Sequence, residues 1–104
     1  MIGIHVEFQM QPGQGERLLE WKRREGELRR RAPGFLKRTL LRSREDPDRF
    51  FYQSYWQSRE AMLAFLHSPQ FEAAITASAV RPAIARRTVT LVHEVFDETG
   101  APAP

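Results

Sequence analysis

Five of the eight residues from Arg49 to Trp56, RFFYQSYW, are aromatic. So dense a run of flat, bulky side chains suits a strand on a pleated, half-buried surface. It is the firmest element in the chain, and the others are placed around it. At the N-terminus Ile2, Ile4, Val6, Phe8 and Met10 alternate with Gly3, His5, Glu7, Gln9 and Gln11, the period-two pattern of a half-buried strand. Pro12-Gly13 ends that strand, and Gly15 to Arg31 reads as a helix whose apolar stripe is Leu18, Leu19, Trp21, Leu28 and Ala32, with Gly26 weakening its middle. Pro33-Gly34 breaks the chain again. Phe35 to Ser43 is then a second strand, and Glu45-Asp46-Pro47-Asp48 turns it into the aromatic one as a hairpin.

Ser58 is placed to cap a short helix carrying Met62, Phe65 and Leu66. Ser68-Pro69 repeats the signal, cap then first-turn proline, and starts a second helical piece running to about Ala77. Val80 to Arg87 reads as a loop, with room for some helix. Thr88 to Phe96, TVTLVHEVF, is a last β-branched strand, and the chain ends in a frayed tail over 99–104 after a domain spanning 1–98. The order β-α-β-β-α-β predicts an α+β, ferredoxin-like sandwich: one four-stranded, largely antiparallel sheet with helices on one face. The bare face, rich in large residues, then predicts association by sheet-on-sheet packing.

Charge narrows the function classes. Sixteen Lys and Arg stand against thirteen Asp and Glu, a net charge of only +3 despite a pI near 9.9. The basic runs Lys22-Arg23-Arg24 and Arg29-Arg30-Arg31 lie in the first helix among Glu16, Glu20, Glu25 and Glu27. The pairs Glu20–Arg24, Glu25–Arg29 and Glu27–Arg31 are four apart in the favourable order, which predicts an exposed, ion-paired face. Such interleaving argues against nucleic acid as a partner, including the RNA-binding use of a ferredoxin-like sheet. With no Cys there is neither a disulfide framework nor a sulfur-ligated metal. No apolar run reaches the ~18 residues of a membrane span and no leader pattern opens the chain, so the expectation is a cytoplasmic protein. Asn is absent and fourteen of the sixteen basic residues are Arg, a bias that thermophily and nucleotide composition produce alike.

The stretch from Pro33 to Ala74 resembles the central signature of the antibiotic-biosynthesis-monooxygenase superfamily: Pro33-Gly34-Phe35, the hairpin, Trp56 closing the third strand, and Ser68-Pro69-Gln70-Phe71 at a helix break. The resemblance implies a dimeric α+β barrel, with two sheets face to face and a pocket in each subunit between sheet and helices. Its members include cofactor-independent oxygenases of anthrones, quinol monooxygenases, haem-degrading enzymes and proteins of no known activity, and architecture alone does not select among them. The haem-degrading pattern of Asn, Trp and His falls on Val6, Phe65 and Ile75, so haem degradation is disfavoured. In the anthrone-oxygenase pattern the Trp is matched by Trp56, while the Asn falls on Tyr52 and the Tyr on Met62.

Trp56 and Tyr52 share a strand face and border the implied pocket as substrate-orienting or catalytic groups, unless both are core aromatics. His67, beside the helix break, suits a general base near neutral pH. Val6, Phe8, Arg38, Met62, Phe65, Phe71 and Ile75 are the implied substrate contacts, although helical spacing reads Met62, Phe65 and Phe71 as core rather than ligand contacts. Arg38 shares parity with Leu36 and Leu40; it binds a phenolate or carboxylate on one face, or pairs with Glu7 across a dimer on the other. His5 and His93 lie on strands expected to be neighbours, but their spacing matches no metal pair, and no metal or other cofactor is expected. The resulting expectation is a homodimeric, cofactor-independent monooxygenase of a small aromatic such as a quinol or anthrone. The alternative is a non-catalytic dimer, a binding or stress-response module that holds a flat apolar ligand.

Overall fold

The N-terminal alternation becomes strand β1, Ile2–Met10, which buries Ile4, Val6, Phe8 and Met10 on one face. The aromatic run becomes β3, Arg49–Trp56, burying Phe50, Tyr52, Ser54 and Trp56 on that same side. The computed structural model describes residues 1–100 and adds β2, Phe35–Arg42, and β4, Ile84–His93. The four strands form one sheet in the order β2-β3-β1-β4, every neighbour antiparallel. Helices α1 (Gly15–Arg31), α2 (Arg59–Leu66) and α3 (Pro69–Ser78) lie over its apolar face. This is the expected ferredoxin-like α+β sandwich. No helix among the described residues is long and apolar enough to cross a membrane.

The caps follow the sequence signals. Ser58 Oγ accepts from the Ala61 N–H at 3.1 Å and Ser68 Oγ from the Phe71 N–H at 3.2 Å. At the start of α1 the Asp48 carboxylate, from the β2–β3 hairpin, accepts from the Gly13 and Gly15 N–H groups, both at 2.9 Å. An acidic group at a helix N-terminus offsets its unpaired donors, and here it also ties the hairpin to the helix.

Two sequence expectations shift. The last strand begins at Ile84 rather than Thr88 and ends at His93 rather than Phe96. Its limits are set by its partner: β1 pairs from Ile2, opposite His93, to Met10, opposite Ile84, so residues beyond His93 have nothing to pair with. A bulge in β2 also breaks the parity of Leu36 with Arg38. Phe35 pairs with Trp56 and Lys37 with Tyr55, so Leu36 is the extra residue and is half exposed. Arg38 therefore shares the helix-facing side with Phe35 and Leu40. Of the 99–104 tail, residues 101–104 lie outside the described ones.

Gly34 holds the α1–β2 corner. Its φ of +84° is costly for a residue with a Cβ, and an added Cβ would sit 2.6 Å from that of Ala61. Its carbonyl accepts from the Gln57 N–H at 2.8 Å, tying the start of β2 to the end of β3. Gly34→Ala is expected to destabilise the fold by roughly 1–3 kcal/mol, read from the midpoint of urea unfolding. An unchanged midpoint would mean that α2 gives way freely at this corner.

Candidate active site

Helix α1 turns a row of charges, not only apolar residues, toward the sheet. Glu25 is 1 % exposed, Arg29 2 % and Lys22 8 %. Here the expected exposed ion-paired face is corrected. Glu20–Arg24 and Glu27–Arg31 do lie in solvent, but Glu25–Arg29 is in the core. Leu18, Lys22, Glu25 and Arg29 are spaced four, three and four apart, which is the inward stripe of a helix. That spacing is the available signal for all three, two of which, Glu25 and Arg29, pair counting assigns to the surface.

Glu25 is the hub of this cluster. Its carboxylate accepts from Arg29 Nε at 3.0 Å, faces Lys22 Nζ at 3.6 Å and accepts a short bond from Arg38 Nη1. Arg38 reaches it from β2, and its Nη2 also donates to the Lys22 carbonyl at 2.6 Å. The sheet face of Arg38 is thereby settled, and Glu7 faces Arg49 instead, at 3.5 Å. Gly26 leaves the space for the Arg38 guanidinium, since a Cβ there would lie 2.6 Å from Nη2.

Three cations thus surround one carboxylate, leaving the cluster net positive whether or not Lys22 carries its proton. Burial drives the Lys22 pKa down to about 7; Glu25 opposes the shift, and Arg29 and Arg38 add to it. Lys22 Nζ lies 3.7 Å from the centroid of the Tyr52 ring, within cation–π range. Burial pushes the Tyr52 phenol up, against the pull of Arg29, so Tyr52 stays neutral at ordinary pH. The Arg29 guanidinium lies among aromatic rings, 4.8 Å from Phe65, 5.6 Å from Tyr52 and 5.8 Å from Trp56. Among the described residues two buried polar atoms have no hydrogen-bond partner: the Tyr52 hydroxyl and Arg29 Nη1. Leaving such groups unpaired is unfavourable, and groups held that way mark a place for a ligand or water.

A cleft of about 220 Å³ between α1 and the sheet is lined by Leu19, Lys22, Arg23, Arg38, Leu40 and Tyr52. A larger cavity, about 550 Å³, opens between the end of α1 and α2, against Leu28, Ala32, Ala61, Ala64 and Phe65. Size favours the second, but its charged side chain, Arg31, projects into solvent. The buried, pKa-shifted groups line the first, and chemistry follows those groups.

The structure distributes the other sequence candidates as follows. Trp56 is wholly buried, gives its indole N–H to Ser54 Oγ at 3.4 Å and packs on Phe35 and Phe65. Val6, Phe8, Met62 and Ile75 are core residues, and Phe71 packs beside them. Phe65 belongs to the core and also walls the larger cavity. Only Arg38 and Tyr52 of the sequence candidates line the charged cleft. His67 is exposed at the C-cap of α2. His5 shares a bond of 3.0 Å with the Tyr55 hydroxyl on the sheet face away from the helices. Opposite Ile2, His93 lies on the other face.

The sequence profile of the family described as "Antibiotic biosynthesis monooxygenase" matches residues 1–77. No curated protein matches the chain. Among solved structures, a Nitrosomonas europaea protein named for the same family superposes with a TM-score of 0.80 at 21% identity, covering 92% of this chain and 100% of its own. SnoaB from Streptomyces nogalater, described as a cofactor-independent oxygenase, gives 0.79 at 22% identity, covering 92% and 94%. A Deinococcus radiodurans protein of the same family name gives 0.78 at 18% identity, covering 96% and 100%. At these identities the likeness is one of fold.

The close fit of Arg38 over Gly26 makes a thermodynamic cycle informative. Replacing an interior helical Gly by Ala normally stabilises by about 1 kcal/mol. Gly26→Ala is expected to yield that gain only alongside Arg38→Met, and to lose or reverse it in the native background. Urea unfolding of the four proteins reads the coupling; equal gains in both backgrounds would show that the guanidinium has other places to go.

Proposed function

Because the chain belongs to the antibiotic biosynthesis monooxygenase family, we propose that it is a cofactor-independent monooxygenase of a small electron-rich phenol, acting in the charged cleft beneath α1. The supporting observation is the coincidence, in one cleft, of a buried phenol lacking a partner and a net-positive cluster. Oxidation of a quinol by dioxygen begins with the substrate anion. In this reading Arg38 and the Tyr52 hydroxyl would hold that anion, by charge and by hydrogen bond respectively, in a water-poor surround where both act strongly. One oxygen atom of O₂ then enters the ring and the other leaves as water. The four electrons come from the substrate: a quinol gives a hydroxyquinone and one water, so the balance needs no external reductant. The description of SnoaB as a cofactor-independent oxygenase supports this class of reaction.

Size favours a single ring. The cleft is smaller than the ~300–1,000 Å³ of pockets that enclose drug-sized ligands, so a monocyclic quinol fits better than a three-ring anthrone. Haem does not fit the residues present. The three aligned positions, Val6, Phe65 and Ile75, are buried hydrocarbon and offer iron no ligand.

Tyr52→Phe separates function from folding. Removing an unpaired buried hydroxyl is expected to leave stability unchanged or raise it slightly. It should also lower kcat/KM for oxygen uptake with single-ring quinols by roughly 10- to 1,000-fold. Uptake by the metal-stripped native protein at the buffer rate, with quinol still bound, would replace the oxygenase with a module that only holds its aromatic ligand.

The sheet face away from the helices supports homodimer formation. It carries Phe51, Tyr55 and Leu41, the last 50 % exposed, beside His5 and Glu7. Packing two such faces together would bury them. Phe51→Arg is then expected to convert a dimer to a monomer by sedimentation velocity, whereas a monomeric native protein would dismiss the pairing.

A further inference from the structure

We propose that Lys22 is the proton acceptor of this site, taking the phenolic proton of the bound substrate onto its amine and keeping it there beside the resulting anion. The inference rests on the aromatic-site reading above and adds the group that this reading leaves unassigned.

The geometry meets what a base requires. Lys22 lines the same cleft as Tyr52 and Arg38. Its amine is anchored over the Tyr52 ring at 3.7 Å, and Phe8 of β1 lies farther off at 5.7 Å. Titratable or charged groups approach it from each side: Glu25 and Arg29 on α1, Arg38 on β2 and Tyr52 on β3, with Arg23 at the cleft rim. Among these Glu25 is engaged by three cations, the three arginines stay protonated, and Tyr52 holds its proton because burial raises its pKa. Lys22 alone loses its charge near neutral pH, at about 7, and a base is most effective when its pKa lies near the working pH.

The step conserves its proton. The substrate O–H bond breaks, its electron pair stays on oxygen as phenolate, and a new N–H bond forms on Nζ. The ammonium so produced stands next to the anion it generated. No proton leaves the site, and the cluster gains the positive charge that the substrate's negative charge requires.

A non-reacting probe reports this directly. In 4-methoxyphenol one quinol oxygen is methylated, and near pH 8.5 the free compound is neutral, being below the ~10 of a phenol. Its ultraviolet difference spectrum shows whether it binds ionised. Calorimetry in buffers of different ionisation enthalpy counts the protons released. The native protein is expected to bind the phenolate at that pH with no proton released. As pH falls through about 7, where free Lys22 is already protonated, release should rise toward one proton per ligand. Lys22→Arg should bind phenolate and release a full proton at both pH values, since guanidinium cannot accept one. Lys22→Met should bind the neutral phenol. Phenolate bound by Lys22→Met, or a proton released by the native protein near pH 8.5, would overturn the assignment while leaving the aromatic site standing. Absence of any binding to the native protein would overturn the site itself and the assignment with it.

Discussion

The Glu25 carboxylate governs the interior of this molecule. Without it, Lys22, Arg29 and Arg38 would share a desolvated space with no counter-charge. Removing one partner of a buried ion pair typically costs about 3–5 kcal/mol, whereas well-packed hydrocarbon in place of the whole set is often neutral or better. An apolar stripe would therefore have served folding equally well. The stripe instead places two cations and an acid where Leu18 and Trp21 continue as hydrocarbon, and β2 adds Arg38 as the third cation. A sequence that forgoes the simpler core at one spot, and leaves a phenol and a guanidinium nitrogen unpaired there, has departed from optimal packing where function commonly demands it.

The surrounding fold accommodates that cluster in two ways. At Leu36 the bulge resets β2 so that Arg38, not its neighbour, faces α1. At Gly26 the helix gives up a side chain so that Arg38 can reach the Lys22 carbonyl and Glu25 together. Each is locally unfavourable: a bulge interrupts the ladder, and a helical Gly is less stable than Ala. Their common beneficiary is one guanidinium, held by bonds to two residues of the helix. Asp48 makes a comparable link at the N-terminal end of α1, from the β2–β3 turn to the Gly13 and Gly15 amides. Helix and hairpin are thus pinned at the start of α1 and again near its middle.

Much of this architecture was legible in the sequence. The alternation in β1, the aromatic β3, the Pro-Gly corner and the two Ser caps each bear a local signature, and their order gave the sandwich. β4 was misplaced because an edge strand extends as far as its partner does, a non-local fact. Parity and resemblance set Tyr52 beside the implied pocket and leave the face of Arg38 open, and parity misjudges Leu36 because a bulge leaves no mark in composition. Lys22, Glu25 and Arg29 were missed for a more instructive reason. A Glu–Arg pair four apart stabilises a helix in water and in the core alike, so pairing does not reveal burial. Phase does: these charges repeat in step with Leu18 rather than with Glu20 and Arg24.

Magnitudes explain why the proton would have to remain in the cluster. A cation about 4 Å from a phenolate, at an effective dielectric constant near 20, is worth about 4 kcal/mol, equivalent to roughly three pKa units. Full burial of the anion works against ionisation by up to about 3–5 units. Arg38 alone would do little more than cancel desolvation, leaving a phenol close to its solution pKa of about 10. A second cation at similar range shifts the balance toward the anion, and Lys22 becomes that cation only by receiving a proton. If the proton escaped to solvent, the amine would stay neutral and the anion would lose the partner that makes it stable. Base and counter-ion are then one group at two moments of the same step, so a net-positive cluster built around a single carboxylate is the arrangement this chemistry calls for.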